Sequence, residues 1–326
     1  MVKEGGTISE SEYAREISWR PKPITGAVDP DRVANAFADG ATIVLQALHH
    51  TWLPLAQFCR ALETDLGCGA QANSYYTPRR SQGFAVHHDT HDVFVLQVAG
   101  EKHWRVYDPV LELPLKAQRW SSSLGEVGPT VLELTLRAGD TLYLPRGWLH
   151  DALTSETDSL HITVGVNVHT WIDAVRAALD ECQDDVEFRR SVADDGEQSV
   201  DLVERLAERL RPEDVRRRAR AKFVDTRRPI LDGHLEEARE AESVTADIPL
   251  ERRSTVIADL HGTTLSFDGK HVEFPEQVEE VLEAVLDANG PFTAADLPGD
   301  LDEEGRLVLV RRLIREGFLR RSAADA

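Results

Sequence analysis

No run of apolar residues reaches the roughly 18 needed to cross a bilayer, so a helical membrane span is excluded on sequence. The opening stretch MVKEGGTISESEYAREISWRPKP lacks an apolar segment behind a basic cluster. It reads as neither a secretory signal nor an Arg-rich transit peptide, and the chain is expected to stay in the cytoplasm. Cysteine is scarce: Cys59, Cys68 and Cys182 are odd in number and too scattered for a disulfide framework or a zinc knuckle. Positive charge is also in deficit, with 37 basic against 57 acidic residues and a net charge of −20. Such a field repels nucleic acid and acidic membranes but attracts a basic polypeptide.

What remains is a 326-residue globular composition, 41% hydrophobic and 29% charged, long enough for two or three domains. Residues 1–30 are polar, contain Pro21, Pro23 and Pro30, and read as an arm. Residues 31–170 carry short β-rich runs at 41–48, 92–98, 103–109, 130–136, 140–145 and 160–168, interrupted by one predicted helix at 52–66. Their spacing by turn residues suits a barrel or jelly roll. From 171 to 255 apolar residues recur every three or four positions, the pattern of a helical domain. Its arginines, including Arg209, Arg211, Arg216–Arg218 and Arg220, interleave with Glu204, Glu208, Glu213 and Asp214, which favours ion pairs over a nucleic-acid patch. Residues 256–326 combine a hairpin turning at Asp268-Gly269 with three predicted helices and a final strand, a winged-helix pattern. That module holds 7 basic and 15 acidic residues, a net −8 that argues against DNA reading.

The chemistry concentrates between residues 73 and 150. In His87-x-Asp89, strand alternation places an imidazole and a carboxylate on one face, where both can hold one ion. His150, beyond a later β run and a Pro-Arg-Gly-Trp turn, is the natural third ligand. Two histidines and one carboxylate leave three positions of an octahedral ion open, as non-haem Fe(II) requires to hold a chelating cosubstrate and O₂ together. This set predicts an oxygenase. His88 should point to the opposite face and His91 toward the pocket mouth, while His49, His50, His103 and His161 read as structural or exposed. Gln97 and Arg146 are further residues that could border the pocket.

The pattern Asn73-x-Tyr75-x-Thr77-Pro78, Ser81-Gln82-Gly83, His87-x-Asp89, Val93-Phe94, Gln97, Gly100 and Lys102-x-Trp104 resembles the JmjC-domain oxygenases of the cupin superfamily, and within them the ribosomal-oxygenase group. A late block matches as well: Gly139-Asp140, Leu144-Pro145, Gly147-Trp148, His150 and Ser159–Thr163. The resemblance covers roughly residues 31–326. It implies a jelly roll (double-stranded β-helix), then a helical dimerisation domain, then a winged helix. It implies iron ligands at His87, Asp89 and His150, and a 2-oxoglutarate site at Lys102 with Asn73, Tyr75 and Thr163 as hydrogen-bonding companions. Taken alone, Lys102 beside Glu101 reads as a solvated lysine; the Gly-x-Lys-x-Trp match reverses that reading. A dicarboxylate bound to iron at one end leaves a distal carboxylate that requires a cation in a dry pocket.

The activity implied is hydroxylation of an arginine or histidine side chain on a basic, ribosomal protein by a homodimer that binds neither nucleic acid nor membrane. Demethylation of lysine, an oxygenase acting on a small molecule, and a non-catalytic cupin-fold binding protein are the alternatives. A cupin isomerase is disfavoured, because Asp89 and Val93 stand where that class carries histidine and glutamate.

Overall fold

The computed structural model describes residues 1–18, 22–191, 196–230 and 232–322. Residues 19–21 of the arm, 192–195 and 231 of the helical region, and 323–326 of the C-terminal module lie outside the described residues. Two units divide the chain, residues 1–59 with 70–168 and residues 60–69 with 169–326.

The first unit opens with small elements where sequence suggests only an arm. β1 (Val2–Lys3) pairs with β2 (Gly6–Thr7), a short α1 (Glu10–Tyr13) follows, and β3 (Ala14–Ile17) pairs with β4 (Ile24–Val28). Helix α2 (Pro30–Ala38) starts where Asp29 accepts hydrogen bonds from the amides of Asp31 and Arg32 and Pro30 supplies a preset first φ. After β5 (Ile43–Leu45) and α3 (Leu53–Leu66) come six strands: β6 (Gly69–Thr77), β7 (Asp92–Tyr107), β8 (Thr130–Arg137), β9 (Thr141–Leu144), β10 (Leu149–Leu153) and β11 (Ser159–Asn167).

These form one seven-stranded antiparallel jelly-roll sheet organised on β7. The first half of β7 pairs with β9 and β11, and its second half pairs with β8 and β10. Sequence separates the runs at 92–98 and 103–109; the structure joins them into a single strand of 16 residues. Val93, Val95 and Gln97 are buried along the first half, and Lys102, Trp104 and Val106 along the second, so the inward phase changes from odd to even. A one-residue register shift opposite Leu160/His161 produces the change, since a bulge swaps the faces that successive side chains occupy. Gly100 is required there: its φ is +64° and a Cβ would lie 1.8 Å from the Asp158 carbonyl oxygen. The Gln97 amide braces the bend by donating to Ser159 Oγ and Ala99 O. Val93, Val95, Trp104, Val106, Leu136, Leu142 and Leu144 make the core between the strands.

The second unit contains α4 (Trp171–Cys182), α5 (Gly196–Arg209), α6 (Pro212–Asp225) and α7 (His234–Glu240). A Thr170/Asp173 capping box starts α4. The interleaved charges form ion pairs, among them Arg211–Glu208, Arg217–Asp214, Arg218–Glu181 and Arg220–Asp259. Next come β12 (Leu250–Arg252), the meander β13 (Ala258–His261), β14 (Thr264–Phe267) and β15 (Lys270–Glu273), then α8 (Glu279–Asp287), α9 (Glu303–Glu316) and β16 (Leu319–Arg321), which pairs with β12. Asp268 and Gly269 turn the β14–β15 hairpin at φ +48° and +72°, the left-handed pair such a tight turn needs. Leu265, Phe267, Val281, Val310, Leu313, Ile314 and Phe318 are fully enclosed, and Ala241, Val244 and Leu250 belong to the same core. That core therefore begins upstream of Val256, where the sequence pattern changes.

Candidate metal and cosubstrate site

His87 and Asp89 do not lie within a regular strand, as alternation alone suggests. They sit on an extended segment between β6 and β7 that meets β10 in an isolated bridge, with His87 and His150 exchanging backbone hydrogen bonds of 3.1 and 2.8 Å. The bridge sets the two imidazoles side by side, ring centroids 4.5 Å apart and planes tilted by 53°. Asp89 Oδ2 lies 3.9 Å from His150 Nε2, and one ligand atom from each of the three residues falls within 4.8 Å of the others. Among the described residues this is the one cluster of three or more His, Cys, Asp and Glu side chains so arranged.

Each imidazole is aimed by a backbone carbonyl two residues earlier. His87 Nδ1 lies 2.8 Å from Ala85 O, and His150 Nδ1 lies 3.1 Å from Trp148 O. A carbonyl oxygen only accepts, so both Nδ1 atoms carry the proton and both Nε2 lone pairs face the shared space. Burial, reinforced by the charge of His87, lowers the His150 pKa to about 4, so its ring is neutral near pH 7 and able to ligate. Two imidazoles and one carboxylate form a donor set that fits a divalent first-row metal.

The triad opens into a cavity of about 210 Å³ whose lining includes Tyr75, Phe84, Val95, Lys102, Trp104, His161 and Thr163. Lys102 is 5% exposed. Its Nζ donates to Thr77 Oγ1 at 3.0 Å, and among the described residues it makes no ion pair. Burial lowers its pKa from 10.5 to about 7: the site holds a cation without the anion it calls for. A carboxylate entering the cavity would supply that charge.

The sequence-predicted companions divide. Tyr75 and Thr163 line the cavity, and the Tyr75 hydroxyl interacts with both Thr163 and Asn73. Burial, then the charge of Asp89, raises the Tyr75 pKa. Asn73 itself is not part of the lining, and its Oδ1 accepts from the Ala47 amide at 2.9 Å; it touches the site through Tyr75. Thr77 is the companion that sequence reasoning leaves unassigned. It continues the period-2 series 73, 75, 77, and that regularity is the signal that could have found it.

Of the two expectations for His161, structural or exposed, the structure excludes exposure. It is buried in the cavity wall, stacked on Tyr75 at 4.9 Å with rings 7° apart and edge-on to Trp104 at 5.5 Å. Burial, followed by the nearby Lys102 charge, holds its pKa well below the usual histidine value, so it adds no second cation. His88 is buried away from the cavity with Nε2 3.0 Å from Gln118 O. Neither His91, Gln97 nor Arg146 lines the cavity. Asp151, which sequence does not single out, does: Arg105 grips its carboxylate with two N–H groups, and Gln82 donates to it at 3.4 Å.

Comparison with known proteins agrees with this geometry. Residues 47–174 match the JmjC domain family. The "Bifunctional lysine-specific demethylase and histidyl-hydroxylase NO66" of Dictyostelium discoideum is 36% identical over 217 residues, 62% of this chain and 41% of that protein. "Ribosomal oxygenase 1" of Gallus gallus is 34% identical over 203 residues, 59% of this chain and 33% of that protein. The chain thus spans less than half the length of either relative. The ribosomal oxygenase YcfD of Escherichia coli, solved with cobalt and 2-oxoglutarate, superposes with a TM-score of 0.53 at 18% identity, over 85% of this chain and 77% of that one. At that identity the likeness speaks for the fold.

Proposed function

We propose that this chain, whose residues 47–174 are a JmjC domain of the ribosomal-oxygenase type, is an Fe(II)- and 2-oxoglutarate-dependent oxygenase that hydroxylates an arginine or histidine side chain of a basic ribosomal protein. One observation carries this reading: a His87–Asp89–His150 cluster and a buried cation without a counter-ion share one small cavity. His87, Asp89 and His150 would hold the metal through two Nε2 atoms and one carboxylate oxygen. Lys102, steadied by Thr77, would bind the distal carboxylate of 2-oxoglutarate in a charge-assisted hydrogen bond. Tyr75 and Thr163 line the space beside it, and Asn73 orients Tyr75. Iron bound there supplies oxygen activation coupled to conversion of 2-oxoglutarate to succinate and CO₂, one oxygen atom of O₂ entering succinate and the other the substrate C–H bond. Val93, Val95, Trp104 and Leu144 keep that wall apolar, which excludes water and strengthens the Lys102 interaction.

The substrate assignment draws on the relatives' names and on the −20 net charge, which favours encounter with a basic partner. We further assign 171–255 to homodimerisation and 256–326 to a winged helix serving protein contact in a cytoplasmic enzyme. Trp171, Leu179 and Val203 are 69%, 46% and 66% exposed on α4 and α5, an apolar surface suited to a second copy. Arg311 and Arg315 pair with Glu242, Arg320 with Glu251, and Arg321 with Glu237 and Glu240, leaving little free positive charge for phosphates. No helix among the described residues is long and apolar enough to cross a membrane.

The deciding experiment is peptide mapping of ribosomal proteins from cells with and without the gene. An arginine or histidine peptide heavier by one oxygen only when the gene is present supports the reading. A change confined to a small metabolite, or to methylated lysine, overturns it.

A further inference from the structure

The segment that carries His87 meets β10 at two isolated bridges, Gln82–Leu153 and His87–His150, and the Gly147 amide donates to Asp89 O. Between those bridges, Gln82 to Ala85 is also held by the first residues of the chain. The Glu4 amide donates to Gln82 O at 3.1 Å and the Gly5 amide to Gly83 O at 2.7 Å. Val2 exchanges two backbone bonds with Thr42, of 3.0 and 2.7 Å. Thr42 hydroxyl donates to Thr77 Oγ1, the atom that also receives Lys102, and it is so close to the backbone of Gly83 that a Cβ there would lie 2.8 Å from Thr42 Oγ1. One small hairpin therefore braces both the limb bearing His87 and Asp89 and the support of the cavity's cation.

The tightest point is Gly5. Its φ is +83°, and an added Cβ would lie 2.9 Å from Ala85 Cβ and 3.3 Å from the Ala85 amide nitrogen. Ala85 is the residue whose carbonyl aims the His87 ring. A push at Gly5 thus moves the acceptor that fixes the His87 tautomer and direction.

We propose that the β1–β2 hairpin, through Gly5, is a positioning element for the His87–Asp89 limb, an inference that rests on the metal-site reading above. The carbonyl that orients a ligating histidine is an outer partner of the metal, and disturbing such partners typically lowers metal affinity 10- to 100-fold. Gly5 touches neither metal nor substrate and acts only through Ala85.

The test compares wild type, Gly5→Ala, Ala85→Gly and the Gly5→Ala/Ala85→Gly double variant, all as full chains. Co(II) titration and hydrogen exchange at the amides of residues 83–88 are measured on each. Gly5→Ala should weaken Co(II) roughly tenfold and speed exchange at the His87 amide, beyond the modest fall in melting temperature that a side chain at φ +83° brings by itself. The double variant removes the methyl group that the new Cβ meets and should recover most of both. Wild-type Co(II) affinity and wild-type exchange in Gly5→Ala would overturn the inference. So would a loss that Ala85→Gly does not relieve, because that outcome marks a general destabilisation by strained backbone. A wild-type protein that binds no Co(II) would refute the metal reading, and exchange at His87, which needs no metal, would still decide the role of Gly5.

Discussion

Replacing Lys102 by methionine should make the cofactor-free protein more stable while depriving it of its cosubstrate. The side chain is 5% exposed, and its pKa falls from 10.5 to about 7 through burial. At roughly 1.4 kcal/mol per unit, that drop corresponds to a penalty on the order of 4 to 5 kcal/mol for keeping the ammonium charged in the folded state. The unfolded chain binds this proton up to pH 10.5 and the folded chain only to about pH 7. The penalty is therefore complete below about pH 7, shrinks as pH rises between the two values, and is gone above the upper one. Lys102→Met keeps the length of the stem but loses the bond to Thr77, worth about 1 kcal/mol, so a net gain of roughly 2 to 4 kcal/mol is expected at pH 7. Urea denaturation of the cofactor-free variant and wild type at pH 7 and pH 10 measures it, and the gain should fade at the higher pH. Calorimetric titration with 2-oxoglutarate should show a loss of about 10- to 150-fold, the equivalent of 1.5 to 3 kcal/mol for a charge-assisted bond. A variant less stable than wild type at pH 7, or a gain independent of pH, would show that Lys102 is not an uncompensated buried cation, and an unchanged 2-oxoglutarate affinity would refute its role.

Three other outcomes follow from the geometry. Asp89→Ala removes the only carboxylate of the triad and should abolish turnover and most Fe(II) affinity; calorimetric titration giving wild-type affinity would move the metal elsewhere. Asp151→Asn strips the charge from the acceptor held by Arg105 and Gln82 next to His150; metal affinity should fall about 10-fold or more, and a variant with unaltered affinity would limit that pair to the fold. The double change Trp171→Asp with Leu179→Asp places charge on exposed positions of α4 and should convert the proposed dimer to a monomer by light scattering, whereas a mass equal to that of wild type would refute α4 as the dimer contact.

The readable part of this protein is the part governed by local pattern. The apolar run Asp92–Val98, the helix at Leu53–Leu66 and the Asp268-Gly269 turn each carry their own signal, and each stands in the structure close to its expected place. β6 is harder to see, because its buried positions are Ala70, Ala72, Ser74 and Thr77, small side chains with little hydropathy contrast to their neighbours. The first residues read as an arm for a similar reason: β1 and β2 are two residues each, and their worth lies in backbone bonds to Thr42, Gln82 and Gly83, which leave no trace in side-chain pattern.

The site itself was legible as a list of residues and illegible as a shape. His-x-Asp spacing suggests a strand face, but what unites the pair with His150 is a set of isolated bonds between distant segments, the His87–His150 bridge and the Gly147 amide to Asp89 O among them, a long-range pairing that composition does not encode. The direction of Lys102 turns on an even finer point. Counting alternately from the buried Val93 and Val95 along β7 would put Lys102 on the outer face; the extra residue Val98 resets the count, and only then do Lys102 and Trp104 turn inward with them. Two positions on, Gly100 at φ +64° lets the strand follow the bend against the Asp158 carbonyl. On β11 no residue is inserted, so His161 shares a face with Thr163 two positions on, and alternation from Thr163 is the signal that assigns it to the cavity wall.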